Sequence, residues 1–144
     1  MVETQIASDK VRAYRASDYR IGDIGLSPDI VLSPGLRCEA LARFFLAKGV
    51  KCGALITAYN PLGVQRSDEL NAVAHERLGG MLTVLGKEII EGSGSEEGSE
   101  WPAEKSYFAL GLIREDAIGI GCLCQQDAII WIGENAVPEL ILLR

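Results

Sequence analysis

The stretch that decides the fold runs from residue 54 to residue 61 and reads Ala54-Leu55-Ile56-Thr57-Ala58-Tyr59-Asn60-Pro61. Its first part is apolar without alternation, which is typical of a strand covered on both faces. Proline cannot donate to a strand ladder and restricts the residue before it, so the strand should end at Asn60. The sequence therefore predicts a buried strand over residues 50–59 that ends in polar side chains.

A helix is predicted directly after this strand, over residues 67–86. Ser67 is a suitable N-cap, and the two acidic residues that follow it complement the helix dipole. Apolar residues then recur at helical spacing. Asn71 and His75 lie one turn apart on the flank of this apolar stripe. The junction of strand and helix therefore brings several polar side chains together.

The other elements follow from similar patterns on either side of this junction. Ser33-Pro34 is expected to begin a helix that continues to Lys48. The glycine-rich, acidic residues 92–100 are expected to form a mobile loop. The remaining predicted elements are an irregular strand at 13–21, a short apolar run at 30–32, strands at 87–91, 105–113, 128–132 and 139–143, and a helix at 115–125.

From residue 50 onward the predicted order is β-α-β-β-α-β, followed by one extra strand. This order indicates an α+β fold with a ferredoxin-like core, a mainly antiparallel sheet with helices packed on one face. We expect a single domain over residues 1–144, because neither side of the acidic loop would make a domain alone. Residues 1–49 would be an N-terminal helical extension, and residues 50–144 would form the core.

Charge and hydropathy exclude several kinds of partner. The 144 residues carry a net charge of −6, and the basic residues are interleaved with acids, so binding to a nucleic-acid backbone is not expected. No apolar run approaches the roughly 20 residues that a membrane span requires. The amino terminus shows no secretory signal pattern, so we expect a cytoplasmic protein without a membrane partner.

Metal and cofactor motifs are not found in the sequence. The four cysteines, Cys38, Cys52, Cys122 and Cys124, show no C-x-x-C spacing, and the single histidine is distant from them. They are interpreted as buried, reduced thiols. Neither a P-loop nor a G-x-G-x-x-G motif is present, so no cofactor is expected.

Several short motifs follow one another along the chain. They are Thr57-Ala58-Tyr59-Asn60-Pro61, Ser67 with Asn71, Trp101-Pro102-x-Glu104-x-Ser106, and Gln126-Asp127-Ala128-Ile129-Ile130-Trp131. In this order they resemble the uncharacterised bacterial family DUF3293, over roughly residues 14–143. Where that family usually has Phe-Gly-Gln-Asn, this sequence has Cys124-Gln125-Gln126-Asp127. The resemblance implies a fold and a site, but no reaction.

On this resemblance, six polar residues form a candidate ligand site: Thr57, Asn60, Asn71, Glu104, Ser106 and Gln126. They come from strand ends, a helix start and the exit of the acidic loop, positions that can converge in an α+β domain. Amide groups offer paired donors and acceptors, which suits a nucleotide-, nucleoside- or sugar-like molecule. Tyr59 and Trp101 would supply a stacking surface.

Three interpretations of these residues stay open at the level of sequence. The first is binding of a small polar ligand. The second is an interaction or regulatory protein in which the polar groups only fix loops, and which forms a homodimer through the apolar edge strand near residues 140–143. The third is a hydrolase or transferase with Glu104 as general acid or base. His75 is interpreted as a residue at the core boundary rather than a base.

Overall fold

The computed structural model describes residues 4–22, 30–96 and 102–144. Within these residues the helices are α1 (Ser8–Ala16), α2 (Glu39–Lys48), α3 (Asp68–Val84) and α4 (Arg114–Leu123), with a short 3₁₀ turn at Pro61–Gly63. The strands are β1 (Asp18–Ile21), β2 (Ile30–Leu32), β3 (Gly53–Thr57), β4 (Ile89–Ser95), β5 (Glu104–Leu110), β6 (Ala128–Ile132) and β7 (Pro138–Leu142). None of the described helices has the length and hydropathy to cross a membrane.

All of these strands form one sheet in the order β2-β1-β4-β5-β3-β6-β7. Each pair of neighbours is antiparallel. In this register Ser106 of β5 lies opposite Thr57 of β3 on one side and Gly92 of β4 on the other. The predicted α+β class with an antiparallel sheet is therefore confirmed.

Helices cover both faces of the sheet, whereas one covered face was predicted. On the α3 face, α3 and α4 pack over a core that includes Ile56 and Leu82. On the opposite side, the α2 face, Leu41 and Phe45 of α2 pack against a core that includes Leu55. Successive strand residues point to opposite faces, so the unbroken apolar run of β3 supplies both cores. The apolar stripe of α2 must also be buried, and it is buried by packing on the second face of the sheet.

The amino-terminal elements are shorter than predicted. The helix expected to begin after Ser33-Pro34 begins at Glu39. Residues 33–36 form a turn instead, in which the N–H of Leu36 donates to the carbonyl oxygen of Ser33 at 3.1 Å. Gly35 in this turn has φ = 84°, a left-handed conformation that ends any helical path. The first strand begins at Asp18 because the residues before it are helical.

Residues 92–95 belong to β4 and are not part of a mobile loop. All four pair with β1 on one side, and residues 92–94 also pair with β5 on the other, so backbone groups are bonded along both edges. A Cβ atom at Gly92 would lie 2.6 Å from the carbonyl oxygen of Arg20. Glycine is therefore required there by the close approach of β1. Residues 97–100 of the predicted loop and Trp101 lie outside the described residues.

The cysteines are free thiols, as predicted, but they are not fully buried. Cys38, Cys52 and Cys124 are partly exposed, and Cys122 is exposed. Burial raises the pKa of the Cys124 thiol to about 11. This thiol is therefore protonated at neutral pH and a weak nucleophile.

Candidate functional site

A cavity of about 270 Å³ lies at the end of the sheet where β3 ends and where β5 and β6 begin. It lies on the α2 face, and α1 forms its outer wall. Leu55, Ile130 and Leu140 give it an apolar floor built by β3, β6 and β7. The cavity is thus bounded by regular elements on most sides.

Five of the six candidate residues line this cavity: Thr57, Asn60, Glu104, Ser106 and Gln126. They come from the ends of three neighbouring strands and the turns beside them, which explains how residues distant in sequence meet. Asn71 is not part of the lining. It lies on α3 and reaches the site only through its contact with Asn60.

Asn60 and Asn71 hold each other in place. The backbone N–H of Asn60 donates to Oδ1 of Asn71 at 2.9 Å, and Nδ2 of Asn71 donates to Oδ1 of Asn60 at 3.0 Å. Oδ1 of Asn60 also accepts from the backbone N–H of Arg66 at 2.9 Å. Asn60 itself has φ = 47°, a left-handed conformation that asparagine tolerates better than most residues. This network determines the path of the chain from β3 into α3.

The same network reaches the cavity through Glu104. Nδ2 of Asn60 donates to Oε2 of Glu104 at 2.7 Å, and Glu104 is the first residue of β5. Asn71 therefore fixes a turn, as one of the sequence interpretations proposed. Asn60 both fixes this turn and orients a carboxylate that lines the cavity.

Gln126 is oriented by two backbone carbonyl groups. Its Nε2 donates to the carbonyl oxygen of Tyr59 at 3.0 Å and to that of Cys124 at 3.3 Å. Both partners are acceptors, so the orientation of the amide is determined, and no described residue donates to Oε1. The preceding residue, Gln125, has φ = 54° at the position where the DUF3293 pattern usually has glycine.

The hydroxyl of Ser106 has no hydrogen-bond partner among the described residues. Ser106 is only 3% exposed and lines the cavity. The hydroxyl of Thr57 beside it is satisfied, because it donates to the carbonyl oxygen of Lys105 at 2.6 Å and accepts from the N–H of Tyr59 at 3.0 Å. Burying a hydroxyl without a partner costs about 1–3 kcal/mol. The hydroxyl of Ser106 therefore lowers the stability of the ligand-free protein.

Sequence reasoning missed the wall of the cavity formed by α1 and β1. The hydroxyl of Tyr14 donates to Oδ2 of Asp127 at 2.7 Å, and that of Tyr19 donates to the carbonyl oxygen of Tyr14 at 2.6 Å. Nε of Arg144 donates to Oδ1 of Asp127 at 2.5 Å. No residue of helix α1 is completely buried. The helix therefore shows no apolar periodicity from which its packing against the sheet could be predicted. The feature of the sequence that could have indicated this wall is the pair Tyr14 and Tyr19 in an otherwise polar segment.

Both tyrosines of this wall are uncharged at neutral pH. Burial raises the pKa of the Tyr14 phenol, and the hydrogen bond to Asp127 and the negative charges of Asp127 and Glu104 raise it further. Burial also raises the pKa of Tyr19, with a smaller contribution from the charge of Glu104. The phenols therefore supply aromatic surface, and the charge of the lining comes from other groups.

Comparison with known proteins identifies the family. Residues 56–129 match the model of the family described as "Protein of unknown function (DUF3293)", which is just over half of the 144 residues. The chain belongs to this family. The match is shorter than the resemblance over residues 14–143, and it includes all six candidate residues but not α1, β1 or β7. No curated protein and no solved structure matches the chain.

The histidine of this DUF3293 protein belongs to a different cluster, on the α3 face. The ring of His75 stacks on that of Tyr107 with centroids 4.0 Å apart, and its edge contact with Tyr59 measures 6.1 Å. Its Nε2 lies 3.2 Å from a carboxylate oxygen of Glu91, while Nδ1 is buried and has no hydrogen-bond partner among the residues that the structure describes. At 8% exposure His75 is a buried residue and not the boundary residue predicted. It does not line the cavity, so it does not form an acid–base pair with Glu104 there.

The chemistry available in the cavity is that of amides, hydroxyls, phenols and carboxylates. In the part of the chain that the structure describes, no group of three His, Cys, Asp or Glu residues is placed to hold a metal ion. Asp127 stands where the DUF3293 pattern usually has asparagine, and its charge is matched by Arg144. The arrangement is suited to hydrogen bonding with a molecule that enters the cavity.

Proposed function

We propose that this DUF3293 protein binds a small polar molecule, nucleotide-, nucleoside- or sugar-like, in the cavity between α1 and the end of the sheet. The volume of about 270 Å³ lies just below the usual range of small-molecule sites, which begins near 300 Å³. It is large enough for a sugar or a nucleoside. The apolar floor and the two tyrosine rings provide surface on which a ring can pack.

The observation that carries this proposal is the hydroxyl of Ser106. A buried polar group without a partner is rare, and each one calls for an explanation. Ser106 and Gln126 both line the cavity, and no described residue donates a hydrogen bond to Oε1 of Gln126. A ligand that hydrogen-bonds to both atoms would remove the cost of leaving them unsatisfied.

The test is a thermal-shift screen of the full chain against nucleosides, nucleotides, sugars and amino acids. A ligand present at about 100 times its dissociation constant should stabilise the folded state by about 2.7 kcal/mol, a shift of several degrees. Ser106→Ala should reduce this shift, and Ser33→Ala, which removes a hydroxyl that does not line the cavity, should not. If no compound in the four classes raises the melting temperature, the proposal is wrong.

We also propose that the central part of the fold is ferredoxin-like. Strands β3, β4, β5 and β6 alternate with α3 and α4 in the order β-α-β-β-α-β, and they lie in the sheet as β4-β5-β3-β6. Helices α3 and α4 share one face. A crystal structure with a different order of these four strands would contradict the assignment.

Homodimerisation is a second candidate, and the position of β7 favours it. Strand β7 is the last strand at one edge of the described sheet, and its residues Leu140 and Leu142 are only partly buried. An exposed edge can add a strand from a second copy. Light scattering at several concentrations tests this, and a monomeric mass throughout would exclude it. Leu142→Lys should weaken a dimer that forms through this edge.

Acid–base catalysis by Glu104 is a third candidate, because its carboxylate lines the cavity and Asn60 orients it. Positioned carboxyl groups serve as general acids and bases in hydrolases and transferases. In Glu104→Gln the side chain keeps an oxygen for the bond from Asn60. A catalytic role predicts that this variant binds substrate and does not turn it over. Equal turnover by both proteins would remove this candidate.

A further inference from the structure

The described lining of the cavity is rich in hydrogen-bond acceptors. It contains three carboxylates, those of Glu96, Glu104 and Asp127, and one ammonium group, that of Lys10. The Oε1 atom of Gln126 adds a neutral acceptor. A molecule bound here therefore meets acceptor atoms and negative charge in most directions.

The donors of the lining are largely engaged within the protein. The hydroxyl hydrogens of Tyr14, Tyr19 and Thr57 point to protein acceptors. Both hydrogens of Nε2 in Gln126 are used on carbonyl oxygens. The buried hydroxyl of Ser106 is one exception, and it can donate or accept. The hydroxyl of Ser95 and the ammonium group of Lys10 also belong to the lining and can donate. A phosphate or carboxylate needs several donors, and here it would also meet the negative charge of three carboxylates.

Two positive groups near the cavity lie close to Asp127. Arg144 binds Asp127, and Nζ of Lys10 and Oδ2 of Asp127 both lie within 3.2 Å of the point where a side chain at Gly63 would begin. Arg144 therefore pairs with Asp127, and Lys10 lies in the neighbourhood of the same carboxylate. The negative charge of Glu104 acts on the tyrosine wall of the cavity, since it contributes to the raised pKa values of Tyr14 and Tyr19.

Resting on the proposed function, we infer that the cavity takes a protonated amine carried on a small ring or sugar-like body, and that it disfavours phosphorylated and carboxylated compounds. The amine supplies N–H donors and a positive charge to a lining in which carboxylates outnumber cations, three to one. The aromatic wall attracts cations as well. The acidic lining does not carry this inference alone, because the buried hydroxyl of Ser106 independently marks the cavity as a ligand site.

The test uses fragments sorted by charge, followed by amide NMR spectra of the full chain. The library contains protonated amines, neutral alcohols and amides, and carboxylates and phosphates in equal numbers. The backbone amides of Tyr14, Ser106 and Gln126 report on the cavity. We expect amines to be the largest class among compounds that shift these three signals. A larger share of neutral or anionic compounds would overturn the inference.

A matched series sharpens the comparison: 2-phenylethylamine, 2-phenylethanol and phenylacetate share one ring and differ in the charge of the head group. We expect the amine to bind about tenfold more tightly than the alcohol, a difference of about 1.4 kcal/mol, and phenylacetate to bind most weakly. The affinity of the amine should fall with added salt, while that of the alcohol should not. Equal affinities, or affinities that salt does not change, would overturn the inference.

Two variants of equal net charge separate local from general electrostatics. Glu104→Gln removes a charge from the lining and should lower the affinity for the amine about tenfold while leaving that for the alcohol unchanged. Glu115→Gln, in the exposed first turn of α4, should leave both unchanged. Equal effects of the two variants would argue against a site at Glu104. If no class of fragment shifts the three reporter signals, the proposed function fails together with the inference.

Discussion

The two faces of the sheet each bury a side-chain polar atom with no partner among the described residues: Oγ of Ser106 on the α2 face and Nδ1 of His75 on the α3 face. Ser106 borders a cavity. His75 is packed against the ring of Tyr107. An unsatisfied polar atom points to a ligand where a cavity lies beside it. In a filled core it is a cost of packing.

The two atoms also differ in the number of hydrogen bonds that they lack. Nε2 of His75 already lies within hydrogen-bonding distance of Glu91, so Nδ1 is the ring atom without a partner among the described residues. A ring nitrogen either donates or accepts, so one hydrogen bond is missing there. The hydroxyl of Ser106 loses a donor and an acceptor together. More hydrogen bonds are therefore missing at Ser106 on the α2 face than at His75 on the α3 face.

Asn71 connects the two faces, and its removal should have the largest effect on stability. Asn71→Ala leaves the buried N–H and the Oδ1 of Asn60 without these partners, in a backbone conformation that is already strained. We expect the free energy of unfolding to fall by about 2–4 kcal/mol in urea titrations. Asn135→Ala, which removes an exposed turn contact, should cost less than about 1 kcal/mol. Similar losses for the two variants would contradict the role given to the network.

The dense packing of the α3 face is tested by two neighbouring glycines of α3. A Cβ atom at Gly79 would lie 3.1 Å from the ring of Tyr107, and a Cβ atom at Gly80 would meet nothing within 4 Å. Gly80→Ala should stabilise the protein by about 0.5–1 kcal/mol, because alanine favours the helix. The free energy of unfolding of Gly79→Ala should be at least about 1 kcal/mol lower than that of Gly80→Ala, because the stacked rings of Tyr107 and His75 must move. Equal urea midpoints would show that this face is loosely packed.

The cavity face should respond in the opposite way when its unsatisfied hydroxyl is removed. Ser106→Ala should raise the free energy of unfolding of the ligand-free protein by about 0.5–1 kcal/mol, because a buried polar group without a partner disappears. Thr57→Val is the matched control and should lower it by about 1 kcal/mol, because that hydroxyl is bonded. A loss of stability in Ser106→Ala would show that its hydroxyl is satisfied.

The smallest expected effect concerns the tyrosine wall at alkaline pH. The folded state raises the pKa of Tyr14, whereas the unfolded chain titrates near pH 10. Above that pH the unfolded state releases its phenol proton first, so stability falls as the pH rises toward the folded-state pKa. In Tyr14→Phe the decline of the urea midpoint between about pH 8 and about pH 11 should be shallower than in the unchanged protein. Parallel declines would show that Tyr14 is not buried against the cavity.

The elements predicted most accurately are those with local signals. Strand β3 ends at Thr57, two residues before the predicted end, and the hydroxyl of Ser67 accepts from the N–H of Leu70 at the start of α3. Strand β6 has the predicted boundaries. Each of these signals acts within a few residues, through a missing donor, a cap or an apolar run. Sequence is sufficient for such features.

The elements predicted poorly depend on partners distant in the chain. Residues 92–95 are too polar and rich in glycine to indicate a strand, and they form one because β1 and β5 lie on either side. Helix α1 docks through the hydroxyl of Tyr14 on Asp127 rather than through an apolar face. No local pattern contains this information, because the stabilising contact is made with a residue from another part of the chain.

By itself, the sequence determined the junction of β3 and α3, the α+β class and the family, and it singled out the six polar residues. Local backbone preferences and hydrophobic periodicity are sufficient for the first two, and the order of short motifs for the rest. Only the tertiary structure decided that Ser106 and Gln126 face a cavity while Asn71 supports the turn from the other side. The environment of a polar atom depends on all the elements that surround it, and those elements meet only when the whole sheet has formed.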